Sequence, residues 1–253
     1  MKLFALQWDI AWEDKQANFS KVRELLEAAT PERDSLVVLP EMFATGFSMN
    51  TDVIAEIYGG PTEQFLATTA QEFQIYLVGG AAMRGRDGWA RNKALVFSPK
   101  GELIAFYAKR RPFTPGGERD HYAAGERSMI FQWGDCAVSP FVCYDLRFPE
   151  IFREATKTHQ PEVFVVIANW PEKRILHWVK LLQARAIENQ AYVVGANRIG
   201  KDPYYNYCGR SLIVDPHGEI LADAEMKAGW IGAEVDVANL KKYRDGLPFL
   251  KDM

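Results

Sequence analysis

The strongest constraint on the fold of this chain is the recurrence of short apolar runs of strand length, about a dozen of them, with helical patterns between several. The runs fall at residues 3–8, 35–39, 75–83, 94–98, 103–108, 129–133, 137–142, 163–168, 191–196, 211–214, 219–222 and 230–235. After the first run, Phe19, Val22, Leu25 and Leu26 repeat at helical spacing; Thr62 is placed to cap a helix over 63–73, and Ile175, Trp178, Leu182 and Ala186 line one face of another. Strand, helix and buried strand in succession form the βαβ pattern, whereas Ser98-Pro99-Lys100-Gly101 and Asp215-Pro216-His217-Gly218 are turns that join hairpins. So many strands exceed a single open sheet and favour two packed mixed sheets with helices outside, an α/β architecture.

Composition narrows the function classes. The 253 residues are within the range of one large domain, and no repeat, low-complexity tract or Pro/Gly-rich linker divides them, so a single domain over 1–253 is expected. A net charge of −3, from 33 acidic and 30 basic residues without long runs of one sign, gives no footprint for nucleic acid or an anionic membrane. No uncharged stretch approaches the roughly 18 residues of a membrane helix. Asp9, Glu13 and Asp14 interrupt the opening apolar stretch, which therefore reads as a first strand and not a signal peptide. Three cysteines, an odd number, argue for a reduced, cytoplasmic protein without a disulfide framework. Without CxxC or HExxH, no structural zinc site is expected. The sequon Asn18-Phe19-Ser20 reads as a chance match.

The chemistry is at the downstream ends of four apolar runs. Leu36-Val37-Val38-Leu39-Pro40 ends at Glu41, Ala105-Phe106-Tyr107-Ala108 at Lys109, Phe141-Val142 at Cys143, and Phe164-Val165-Val166-Ile167-Ala168 at Asn169-Trp170. In α/β sheets the carboxyl ends of strands form the ligand crevice. Taken singly, Glu41 is a solvated loop carboxylate, Lys109-Arg110-Arg111 a basic turn, Cys143 a small buried hydrophobe and Trp170 a packed indole. Taken together at neighbouring strand ends they are a base, a cation and a nucleophile around one pocket. The cation and a helix start after Cys143 are expected to favour its thiolate, with Glu41 as the group that accepts and returns protons.

These residues carry a resemblance. Leu39-Pro40-Glu41, Tyr107-Ala108-Lys109 and Cys143-Tyr144-Asp145-Leu146-Arg147-Phe148-Pro149-Glu150 are similar to the Glu-Lys-Cys motifs of the nitrilase superfamily of carbon–nitrogen hydrolases. Ala184 to Gln190, Gly195-Ala196-Asn197-Arg198 and the closing Asp215-Pro216-His217-Gly218-Glu219 extend the likeness over nearly the whole chain. It implies a four-layer αββα sandwich, associated through helices as a homodimer or larger assembly. By position it implies Cys143 as nucleophile, Glu41 as general base, Lys109 as the cation stabilising the tetrahedral intermediate, and Glu118 as a second carboxylate orienting the lysine and substrate. Alone, Glu118 in its Gly-rich loop would read as exposed. The Tyr144 N–H would share the oxyanion hole with Lys109. One departure stands out: Arg111-Pro112-Phe113 follows the lysine where relatives commonly carry His-Leu before the Phe.

Within the superfamily, Glu41-Met42-Phe43, Thr45 to Met49, Val142 to Glu150 and Asn169-Trp170-Pro171 look most like the ω-amidase branch, which hydrolyses the terminal amides of 2-oxoglutaramate and 2-oxosuccinamate. Because one carboxylate alternates between acid and base, no metal or organic cofactor is required. An anionic substrate needs a counter-charge, for which Arg174 ranks before Arg147 and Arg198; Arg147 is expected to pair instead with Glu150. Two other readings fit these residues: an amidase for N-carbamoyl compounds or aliphatic amides, and a catalytically silent binding protein on the same fold.

Overall fold

Strand direction decides whether the polar residues that end the apolar runs can meet. A computed structural model describes residues 1–253. In chain order it contains β1 (Lys2–Gln7), α1 (Lys15–Ala29), β2 (Leu36–Val38), α2 (Thr51–Ile54), α3 (Pro61–Phe73), β3 (Tyr76–Arg84), β4 (Ala90–Phe97) and β5 (Leu103–Ala108). There follow β6 (Phe131–Trp133), β7 (Cys136–Val142), α4 (Pro149–His159), β8 (Val163–Ile167), α5 (Ile175–Asn189) and β9 (Tyr192–Ala196). The chain closes with β10 (Ile199–Lys201), β11 (Asn206–Cys208), β12 (Leu212–Val214), β13 (Ile220–Asp223), β14 (Gly229–Glu234) and α6 (Val237–Gly246).

Two six-stranded sheets form, ordered β14-β1-β2-β3-β4-β5 and β13-β12-β9-β8-β7-β6. Each has three parallel strands at its centre, β1, β2 and β3 in one and β7, β8 and β9 in the other, flanked by antiparallel neighbours. Both expected hairpins, β4–β5 and β12–β13, are antiparallel pairs. Successive side chains of a strand face opposite sides of its sheet. In β2, Leu36 and Val38 join a cluster of 42 buried residues, while Val37 and the following Leu39 join a separate cluster of 19 under α1 and α3. The larger cluster takes in side chains of both sheets and of α4 and α5, so the layers run helix, sheet, sheet, helix. At Gly195 the helix approaches β9 closely: a Cβ there would lie 2.6 Å from Leu182 and Trp178. Burying a side chain such as Leu182 contributes about 1.5–3 kcal/mol, and this close approach makes that burial complete.

The four-layer αββα sandwich expected from the sequence is the observed architecture. Two local expectations change. The helix from Pro61 is capped by Gly60, not Thr62, because proline's missing N–H and fixed φ suit the first helical position. The Thr62 hydroxyl donates instead to Glu56 Oε1 at 2.7 Å. The small β10–β11 hairpin had no counterpart among the expected runs. Asn18 of the sequon is buried, and its Nδ2 donates to the carbonyls of Ala11, Asp14 and Ala44, so it acts as a structural clamp beside the loop that follows Glu41. No helix is long and apolar enough to cross a membrane.

Candidate active site

The parallel strands β2, β7 and β8, with β5, end on one side of the molecule and deliver their terminal residues to a common centre. Glu41 follows β2 by way of Leu39 and Pro40 and is fully buried. Its backbone lies against β3 at Gly80, where a Cβ would come within 2.4 Å of the Met42 nitrogen and 2.7 Å of the Glu41 Cα. Only glycine permits this approach. The Glu41 carboxylate accepts at Oε1 from Lys109 Nζ (2.9 Å) and Asn92 Nδ2 (2.6 Å), and at Oε2 from the Asn169 backbone N–H (2.7 Å). The Asn169 side chain donates to the Glu41 carbonyl at 2.6 Å.

Lys109 leaves β5 with its backbone N–H on the Asn92 carbonyl, and its Nζ also donates to Glu118 Oε2 at 2.7 Å. Glu118 is buried, contrary to what the residue suggests in isolation. A short 3-10 turn, Glu118–Asp120, holds it, and it accepts further bonds from Phe113 N–H (2.5 Å) and Asn92 Nδ2 (2.8 Å). The Arg111-Pro112-Phe113 departure therefore leaves the loop tied to both carboxyls it must meet: Phe113 N–H binds Glu118, and Arg111 N–H binds Asp145 Oδ1 at 2.9 Å. Burial works against the Lys109 ammonium, but the Glu118 and Glu41 carboxylates outweigh it and hold its pKa above the ordinary lysine value. Burial raises the pKa of Glu118; Lys109 opposes that and the neighbouring Glu41 charge adds to it.

Cys143 follows β7 directly and opens a 3-10 turn, Cys143–Arg147, with its own backbone at φ +47°. A left-handed conformation at a non-glycine residue costs on the order of 1–3 kcal/mol and needs the surrounding structure to enforce it. Asp145 provides part of that enforcement: its Oδ2 accepts from Val142 N–H (3.1 Å) and from the Tyr107 hydroxyl (2.8 Å), stapling the turn to β5 of the opposite sheet. Burial pushes the Asp145 carboxyl up to about 7, against these donors and Lys109. The Cys143 sulfur lies 3.9 Å from the Asn169 carbonyl oxygen. The expected resting thiolate is not what this site favours. Burial, then the Glu41 charge, push the thiol pKa well above its ordinary value, and Lys109, committed to two carboxylates, offsets only part of this. Burial and Glu41 thus favour the neutral thiol, next to the group placed to take its proton.

Cys143 opens into a cleft lined also by Tyr144, the expected oxyanion donor, by the strand-end pair Asn169 and Trp170, by Arg174, the first-ranked counter-charge, and by Phe47, Phe113, Arg147 and Tyr205. Arg174 forms no salt bridge; its guanidinium lies 5.3 Å from the Phe113 ring. Arg147 does not pair with Glu150, which Arg111 holds at 3.2 Å. Arg147 instead packs 4.7 Å from the Trp170 ring, contacts His177 Nδ1 at 3.2 Å, and is less basic than usual through burial and the nearby Arg174. Arg198 is outside the cleft, fully buried on Asp9 and the Ile10 and Lys201 carbonyls. Asn169 lines the cleft, but its backbone N–H and one hydrogen of its Nδ2 are spent on Glu41.

Sequence reasoning missed Asn92, Phe47, Phe113 and Tyr205. Asn92 sits within the β4 run and carries no motif; its single Nδ2 bridges Glu41 and Glu118. Asn92→Leu is expected to lower kcat by about 10²-fold with KM little changed, since misplacing a reacting carboxylate by an ångström has that effect. Wild-type kcat in this variant would show that the bridge does not position the pair.

A buried thiol with a carboxylate base, a fixed ammonium and a short turn of free N–H groups is the site of a thiol-dependent acyl-transfer hydrolase. The carbon–nitrogen hydrolase family model matches residues 3–245, and the chain belongs to that family; it is a hydrolase of carbon–nitrogen bonds other than peptide bonds. The chain is 40% identical to omega-amidase YafV of Yersinia enterocolitica, over all of this chain and 96% of that protein. It is 32% identical to 2-oxoglutaramate amidase of Bacillus subtilis, over 98% and 95% of the two chains. Its fold matches, with a TM-score of 0.94 and 32% identity over 100% and 97% of the chains, a CN-hydrolase superfamily protein of Xanthomonas campestris whose crystal structure carries an arsenic adduct in the active site.

Proposed function

We propose that the protein is an ω-amidase, releasing ammonia from the terminal amide of a small 2-oxo dicarboxylic acid monoamide such as 2-oxoglutaramate or 2-oxosuccinamate. The observation that carries this reading is the pair of guanidiniums, Arg147 and Arg174, without carboxylate partners in the cleft that exposes Cys143. Two cations in a partly desolvated cleft are costly unless an anionic substrate neutralises them, and a guanidinium matches a carboxylate in two parallel hydrogen bonds. The named activities of the Yersinia and Bacillus relatives agree with it.

In the proposed mechanism Cys143 Sγ attacks the amide carbon as its proton passes to Glu41. The oxyanion is met by Lys109 and the Tyr144 N–H. Collapse breaks the C–N bond, Glu41 returns the proton to the departing nitrogen, and ammonia leaves a thioester on Cys143. Glu41 then takes a proton from water, whose oxygen attacks the thioester, and the proton ends on the Cys143 sulfur as the acid departs. Glu118 holds Lys109 in place throughout. No step calls for a metal or an organic cofactor. The 42-residue cluster shared by both sheets supports one domain over 1–253, three free cysteines support residence in a reducing cytoplasm, and the exposed Leu176 and Ile187 of α5 support association through that helix as a homodimer.

Ammonia release should be much faster from 2-oxoglutaramate than from an N-carbamoyl amino acid or a neutral aliphatic amide. Arg174→Ala is expected to raise KM for 2-oxoglutaramate by about 10–100-fold, the loss of one charged hydrogen-bonding partner, while hydrolysis of a neutral aliphatic amide is little affected. No turnover of 2-oxoglutaramate alongside fast N-carbamoyl hydrolysis would replace this substrate class with the other.

A further inference from the structure

A second buried lysine stands next to Asn92 but faces the other side of its strand. Lys93 is 4% exposed, yet unlike Lys109 it has no carboxylate partner. Its Nζ donates to the Tyr58 hydroxyl at 2.8 Å and lies 4.4 Å from the centroid of Phe106 and 4.8 Å from that of Tyr58. An ammonium has three donors, and the hydroxyl satisfies one. A buried cation left in this condition is unfavourable unless an anion completes it.

Lys93 borders a cavity lined also by Arg86, Arg91, Arg127 and Glu126, separate from the Cys143 cleft and sharing none of its lining residues. Arg91 is neutralised by Asp87, which receives both of its terminal nitrogens at 3.0 and 2.6 Å. Arg86 and Arg127 are exposed and form no salt bridge, so the unneutralised charges of the lining are three cations against the one carboxylate of Glu126. That excess of two positive charges matches a phosphoryl dianion. Tyr58 and Phe106, both exposed beside Lys93, offer ring surfaces for an apolar or aromatic group attached to it.

We propose that this cavity binds the phosphoryl group of a small aromatic phosphate ester, with Lys93 at its floor and Arg86 and Arg127 at its rim. Charge-assisted hydrogen bonds from the ammonium and guanidiniums hold the oxygens.

Titration calorimetry with phenyl phosphate and with inorganic phosphate, at constant ionic strength, tests this. Both should bind, phenyl phosphate the more tightly, and Lys93→Met should weaken phenyl phosphate at least about tenfold, as expected when a buried charge partner is removed. Because Lys93→Met changes a buried site, the surface pair Arg86→Ala/Arg127→Ala provides an independent arm in which the same weakening is expected, while Arg174→Ala should bind as the wild type does. Absence of binding, wild-type affinity in the Arg86/Arg127 variant, or binding lost in Arg174→Ala would overturn the assignment. Inorganic phosphate binding as tightly as phenyl phosphate would overturn the ester and leave the cavity to free phosphate.

Discussion

Cys143→Ala is expected to reduce amide hydrolysis by about 10⁴–10⁶-fold, the loss seen when the nucleophile of a covalent mechanism is removed, while the protein keeps its fold and its affinity for substrate. The thiol makes one long hydrogen bond, to the Asn169 carbonyl, so its removal gives up little within the protein. Lys109, Glu41, Glu118 and Asn92 keep every hydrogen bond they make to one another. What is lost is the atom that forms the acyl bond. Steady-state ammonia release, with substrate affinity measured by calorimetry, separates the two effects. Retention of more than a small fraction of turnover would place the nucleophile elsewhere.

Lys109→Ala should be the more damaging change to the protein as a whole. It leaves two fully buried carboxylates joined through one asparagine amide with no cation between them, and breaking a buried ion pair from one side costs about 3–5 kcal/mol. The sign of the pH dependence follows from Glu118. Burial already raises its pKa in the folded state, and losing Lys109, which opposes that rise, moves it further up. A carboxyl whose folded pKa exceeds its unfolded value favours folding at low pH, and that stability is lost as pH climbs through the folded pKa. Thermal unfolding of Lys109→Ala should therefore approach wild type on acidification and fall away toward neutrality. Turnover should drop about 10²–10³-fold as well, the effect of removing one oxyanion donor.

The same two charges give opposite signatures at the thiol. Glu41 raises the Cys143 pKa and Lys109 lowers it. The pH at which iodoacetamide labels Cys143 should move upward in Lys109→Ala and downward in Glu41→Gln. Shifts in one direction for both variants would contradict the placement of the two groups around the sulfur.

The architecture was legible in the sequence because it is written in periodicity. Uninterrupted apolar runs with helical patterns between them admit few arrangements, and every expected run has a strand in one of the two six-stranded sheets. The strand ends Glu41, Lys109, Cys143 and Asn169 were legible for the same reason, since chain direction carries them to one side. Three things were not. Asn92 lies inside a strand, and nothing local marks which face it takes or that a carboxylate waits on either side of its amide. Sequence proximity pairs Arg147 with Glu150, but the 3-10 turn after Cys143 separates them and leaves Glu150 to Arg111 from the facing loop. The cation and the helix start favour a thiolate, whereas desolvation and the Glu41 charge outweigh them. Each concerns contacts between segments far apart in the chain, which spacing along the chain does not encode.

The mechanism requires an acyl group to pass through Cys143. Rapid acid quench of the enzyme mixed with 2-oxoglutaramate, followed by intact-mass and peptide analysis, tests it most directly. The expected result is a transient adduct equal in mass to the substrate minus ammonia, located on Cys143 and released as a hydroxamate by hydroxylamine. An adduct on a different residue, or complete product release in a single-turnover experiment that never labels Cys143, would contradict it.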